Sequence, residues 1–216
     1  PRCISGLSNR RSHEIIPIHQ MRTKQELCCR GTNRELVEGR AFSYGIWMLS
    51  AVIETENDEE GLARTLASLI GGAVEGVLRD VLVRDQGSTD QTHKVADHAG
   101  CVWLEGADLG AAIHRAKGEW LLFLQPGARL LDGWVDNVAA HMAKATMPAR
   151  FSRSRAERTP FLSRVFVRSD ALAQGLLIPK ARALALAKSA ADAEALARGL
   201  AMKTLQAEIV PASRKG

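Results

Sequence analysis

Two short apolar runs in this chain each finish in an acidic, hydroxyl-rich loop, and that pairing constrains the fold more than any other feature. Leu49–Thr55 leads into Glu56-Asn57-Asp58-Glu59, and Leu78–Val83 leads, through Arg84, into Asp85-Gln-Gly-Ser-Thr-Asp90. Between the runs Leu62, Leu66 and Leu69 recur at helical spacing. Strand, helix and strand with short links predict parallel pairing, with the helix crossing one face. Both polar loops then lie along one edge of the sheet, outside the carboxyl ends of its strands, where open α/β sheets bind ligands.

The alternation continues. Asp58 can cap the first helix, with Glu59 and Glu60 in the turn that the helix dipole makes favourable for anions, and Gly71-Gly72 is the expected end. Asp90 can cap a helix over about 91–98 that Gly100 closes. A strand is expected over Cys101–Leu104, a helix over Leu109–Ala116, and a strand at Trp120–Leu124. The last is continuously apolar, as in a strand covered on both faces. Pro126-Gly127 marks a turn before a helix over Trp134–Ala145. Extended segments are expected at Arg150–Arg153 and Ser163–Val167, and a short strand at Leu176–Ile178. The Ala/Leu-rich run Ala181–Ala201 favours helix, and Leu205–Val210 reads as a final edge strand. The fold class expected is α/β: a mostly parallel sheet with helices on both faces.

Charge narrows the partners. The net charge is +5, but residues 1–47 carry eight Lys/Arg against four Asp/Glu, leaving 21 against 20 for the rest. The folded part is nearly neutral, which argues against a nucleic-acid-binding surface. Cys3, Cys28, Cys29 and Cys101 form no C-x-x-C spacing, so neither a zinc site nor a redox pair is indicated and a reduced, cytoplasmic chain is expected. No run reaches the roughly 18 apolar residues of a membrane span. Residues 1–47 show no sustained period and no secretory signal core. We expect the domain to start at Met48, with 1–47 as a leader: a mis-assigned start, an appended remnant or a flexible arm.

Met48–Trp134 resembles the nucleotide-binding half of a family 2 glycosyltransferase of the GT-A fold. The likeness rests on Thr55-Glu-Asn-Asp58 for T-x-N-E, Asp85-Gln-Gly-Ser-Thr-Asp-Gln-Thr92 for D-G-G-S-T-D-G-T, and Gly118-Glu-Trp-Leu-Leu-Phe-Leu124 for G-E-W-L-L-F-L. Arg129-Leu130 and Gly133-Trp134 match the stretch that follows. The resemblance implies a nucleotide-sugar or nucleoside diphosphate ligand, with Thr55, Asn57, Asp58 and Asp85 contacting the nucleotide. Carboxylates and amides at strand ends suit base N–H groups and ribose hydroxyls. Residues 135–216 would form a reduced acceptor half.

The resemblance also implies a divalent Mg²⁺ or Mn²⁺, held by the last Asp of a D-x-D-like motif, to neutralise the departing diphosphate. Here Leu124-Gln-Pro-Gly-Ala128 occupies that stretch, and Gly127 stands at the ligand position. Gln174-Gly-Leu-Leu-Ile178 resembles the family's D-Q-G-L-F/L-I strand, with Ala173 in place of the acid. Aligned through Ala195-Leu-Ala-Arg198, the family's catalytic E-D pair falls near Asp192-Ala193; only Asp192 then remains, not at the position of the base, so the base is unassigned and Asp192 is a weak candidate.

Each site residue also has a plainer reading. Asp85, Asp90 and Asn57 can serve their own turns and caps. His93, His98, His114 and His141 form no ligand pattern, and Arg115 and Lys117 suit a helix C-terminus. Ala149–Arg168 holds six Arg and one Glu: a solvated face, an anion or membrane-surface contact, or a protein contact through Arg150–Arg168. Two functions remain open: a transferase moving a sugar from a nucleotide-sugar to an acceptor hydroxyl, and a catalytically degenerate homologue that binds a nucleotide or a protein. A nucleotidyltransferase is disfavoured, because no glycine-rich phosphate loop is present.

Overall fold

In the computed structural model, residues 48–154 and 170–213 are described. The leader 1–47, the extended segment expected at 163–167 and most of the Arg-rich run lie outside them. The elements are β1 (Leu49–Thr55), α1 (Glu59–Val74), β2 (Leu78–Asp85), α2 (Thr92–His98), β3 (Val102–Glu105), α3 (Leu109–Arg115) and β4 (Trp120–Leu124), followed by β5 (Arg129–Leu130), α4 (Trp134–Lys144), β6 (Ala149–Arg153), β7 (Leu176–Pro179), α5 (Lys180–Ala187), α6 (Ala193–Ala197) and β8 (Lys203–Val210).

The eight strands form one mixed sheet in the order β3-β2-β1-β4-β7-β6-β8-β5. The half built from β3, β2, β1 and β4 is parallel. In the other half β7 runs antiparallel to β4 and β6, β6 pairs parallel with β8, and β5 closes the sheet antiparallel to β8.

Strand alternation divides the core into two layers. Leu49, Ala51 and Ile53 pack with Leu62, Leu66 and Leu69 of α1 and Val138 of α4. Val52, Leu121 and Phe123 pack on the other face with Leu109 and Ile113 of α3 and Leu196 of α6. Both faces of β4 are covered, and all five of its residues are buried. Among the described residues no helix is long and apolar enough to cross a membrane.

Three elements differ from expectation. Helix α1 runs past Gly71-Gly72 to Val74, because Gly72 serves packing: a Cβ there would fall 2.5 Å from the Trp134 ring. The stop comes at Gly76, at φ +75°. The Ala/Leu-rich run divides into α5 and α6 because Asp192 takes an extended conformation and caps α6 through the Ala195 N–H at 2.6 Å. Strand β8 is interior, and the edge belongs to β5, whose two residues carry no periodic signal.

Candidate functional site

The two polar loops meet at the carboxyl ends of β1 and β2 and are stitched together. Asn57 sits in the left-handed region at φ +48°. Its N–H donates to Ser88 Oγ at 2.8 Å, and its Oδ1 accepts from the Thr89 N–H at 2.8 Å. The Asp58 N–H donates to Thr92 Oγ1 at 3.1 Å. Glu59 Oε2 accepts from the Gln91 N–H at 3.1 Å. Asp85 is buried and closes its own turn, accepting from the Gly87 and Ser88 N–H groups at 3.0 and 2.9 Å and from the Ser88 hydroxyl. Asp90 is not the expected helix cap: Gln91 holds the N-cap position of α2 without a side-chain bond, and Asp90, one residue earlier, accepts from the Thr92 N–H at 2.9 Å.

Beside this stitched pair lies a cavity of about 330 Å³. Glu54, Asp58, Gln86 and Gln125 line it from the strand ends. Asp170, Asp192 and Glu194 line it from the second half of the chain, and Ala212 and Ser213 follow β8 into it. Among the described residues, five carboxylates line the cavity and no Lys, Arg or His does.

Strand parity decides which predicted residues reach it. Glu54 shares a face of β1 with Val52, and Thr55 shares the opposite face with Ile53. Of the four positions expected to touch a nucleotide, Asp58 lines the cavity, while Thr55, Asn57 and Asp85 do not. Thr55 is 2% exposed, and among the described residues its hydroxyl has no hydrogen-bond partner. Asp58 also caps α1, accepting from the Gly61 N–H at 3.1 Å. A Cβ at Gly61 would fall 2.4 Å from that carboxylate, so the glycine gives it room.

Sequence reasoning passed over Glu54, Gln86, Asp170 and Glu194. Glu54 did carry a signal, as a lone charge inside an apolar strand. Its Oε1 pairs with Arg84 at 2.6 Å, and its Oε2 accepts from the Ala193 N–H at 3.0 Å. Glu194 spends both oxygens on the Ala171 and Leu172 N–H groups, at 2.6 and 2.8 Å. Asp192 uses Oδ1 as the α6 cap, and its Oδ2 takes no protein partner among the described residues. The four histidines contribute nothing to this cavity; His93 packs edge-on against Trp103, and His141 is buried against Trp120. Burial pushes the Cys101 thiol up to about 12.

The described residues do not fit a resident divalent metal. Gly127 offers no side-chain oxygen; it sits at φ +90° with its N–H on Gly61 O and Thr65 Oγ1, both at 2.9 Å. Both oxygens of Glu54 and of Glu194 already accept N–H or guanidinium donors, and no group of three His, Cys, Asp or Glu among the described residues could hold an ion.

A half-parallel sheet flanked by helices, with its cavity at the carboxyl ends of β1, β2 and β4, is the architecture of GT-A nucleotide-diphospho-sugar transferases. Solved structures share it. S. aureus TarS 1–349 in complex with UDP-GlcNAc superposes with a TM-score of 0.58 at 17% identity, over 78% of this chain and 59% of that one. Glucosyl-3-phosphoglycerate synthase from Mycobacterium tuberculosis, in complex with Mn²⁺, UDP and glucosyl-3-phosphoglycerate, gives 0.50 at 13% identity, over 83% and 80%. The chain thus spans about three fifths of the TarS fragment. At these identities the likeness is one of fold. No protein-family model and no curated protein sequence matches the chain.

Proposed function

We propose that this chain is a family 2-like GT-A protein that binds a nucleotide-sugar and transfers its sugar to an acceptor hydroxyl. The observation that carries the reading is the cavity at the β1, β2 and β4 ends, walled on its far side by Asp192. In this reading Asp58 and Gln86 hold the nucleoside, whose base N–H groups and ribose hydroxyls donate to carboxylate and amide oxygens. Thr55, Asn57 and Asp85 shape the stitched loops that present them. Asp192, through Oδ2, takes the acceptor proton as the new C–O bond forms and the nucleoside diphosphate departs.

One observation favours the second reading, a homologue that binds a nucleotide without transfer. Gly127 offers no side-chain ligand for a metal, and among the described lining residues no Lys, Arg or His faces the departing diphosphate. Calorimetric titration with UDP and UDP-GlcNAc, with and without Mn²⁺, joined to an assay for UDP release, separates the cases. The proposal expects binding that Mn²⁺ changes little, together with UDP release. Binding without release leaves the second reading, and no nucleotide binding in either condition overturns both.

A further inference from the structure

Residues 188–192, between α5 and α6, contribute to the lining of two cavities. One is the strand-end cavity, lined by Asp192 and Glu194. The other is a cavity of about 350 Å³ between α3 and α5, lined by Lys188, Ala190 and Ala191 of the same segment. Close packing normally fixes a buried segment. This segment lacks that constraint, with Lys188, Ser189 and Ala191 exposed, so its placement falls to hydrogen bonds.

One cross-strand pair supplies them. Glu54 and Arg84 are register neighbours on β1 and β2, with side chains 12% and 13% exposed. Arg84 donates to Glu54 Oε1 at 2.6 Å, to Ala107 O at 2.7 Å and to Ala191 O at 3.4 Å. Glu54 Oε2 accepts from the Ala193 N–H at 3.0 Å. The pair therefore grips the chain on both sides of Asp192: Ala191 by its carbonyl and Ala193 by its N–H. The planar guanidinium fork makes three such bonds at once, which an ammonium on a flexible stem does not reproduce.

We infer that Glu54 and Arg84 are positioning residues that fix the Asp192 carboxylate on the cavity wall. Their role in transfer rests on the reading of that cavity as a nucleotide-sugar site. The pair joins the sheet to a segment more than a hundred residues later in the chain, and it sets where the base stands relative to the nucleoside-holding Asp58.

Amide hydrogen exchange across residues 188–195 tests the positioning directly, in Arg84→Met and in the charge-swapped double variant E54R/R84E. Both are expected to speed exchange of the Ala193 and Ala195 amides by about tenfold while β1 and β4 stay protected. The swap preserves an ion pair but removes the carboxylate that accepts from Ala193. Restored protection in the swap would reduce the pair to a stabilising salt bridge and overturn the inference, as would unchanged exchange at Ala193 in Arg84→Met. Arg84→Lys keeps the charge without the fork and serves if the swap does not fold; exchange at Ala193 as slow as in the parent chain overturns the inference there too. The release assay adds a second readout, with kcat falling about tenfold and UDP affinity held. A parent chain that binds no UDP removes the functional reading alone, and the exchange data still decide the positioning.

Discussion

Asn57 reaches across the mouth of the fold to Thr89, accepting its backbone N–H at 2.8 Å and its hydroxyl at 3.2 Å through one amide oxygen. Its own backbone is left-handed, a conformation that costs a residue with a Cβ about 1–2 kcal/mol unless the side chain compensates locally. Asn57→Ala is expected to be less stable than Asn57→Gly by about 1 kcal/mol, since glycine carries no such penalty. Urea denaturation of the two variants checks the order, and the reverse order would remove the left-handed assignment.

Thr55 poses the opposite case. Its hydroxyl is buried without a protein partner among the described residues, and a buried unpaired hydroxyl costs roughly 1–3 kcal/mol. Thr55→Val keeps the shape and should raise stability by about 1 kcal/mol. Because Thr55 faces away from the cavity, the same variant should leave UDP binding unchanged while stability rises. Thermal unfolding and calorimetry on one preparation read both.

Gly72 and Trp134 touch where α1 crosses α4. A methyl at Gly72 would stand 2.5 Å from the indole, whose Nε1–H donates to Ser68 O at 3.2 Å. Gly72→Ala should therefore cost about 1–3 kcal/mol by overpacking, despite the better helix propensity of alanine. A lowered Tm with a shifted tryptophan emission is the expected result; a raised Tm would mean the helices separate freely.

Gly127→Asp restores the carboxylate that the family resemblance expects. At φ +90° any side chain is strained, and a Cβ would stand 3.4 Å from Ala212. We expect a loss of about 1–2 kcal/mol and no new Mn²⁺ dependence of UDP binding. A stable variant that gains Mn²⁺-dependent binding would show that one residue had removed the metal.

Cys101 should behave as an inert thiol. With burial holding it up to about 12, it stays protonated at pH 8, and the thiolate is the reactive form. Alkylation is expected only once the chain unfolds. Labelling with and without denaturant, read by intact mass, tests this.

The sequence alone determined the first half of the fold closely. Leu49–Thr55 and Trp120–Leu124 are strands at the bounds their apolar runs suggest, because a run covered on both faces carries its signal locally. The Asp58 cap and the two polar loops were legible for the same reason, since turns and caps are hydrogen-bonded within a few residues. What only the tertiary structure decided is which side of those strands meets the cavity. One step in parity separates Thr55 from Glu54, and nothing local says which faces the site. Glu54 finds its partners in Arg84, 30 residues away, and in Ala193, 139 residues away. Sheet pairing and the docking of α6 bring those groups together, so the acidic wall of the site exists only once the whole sheet has closed.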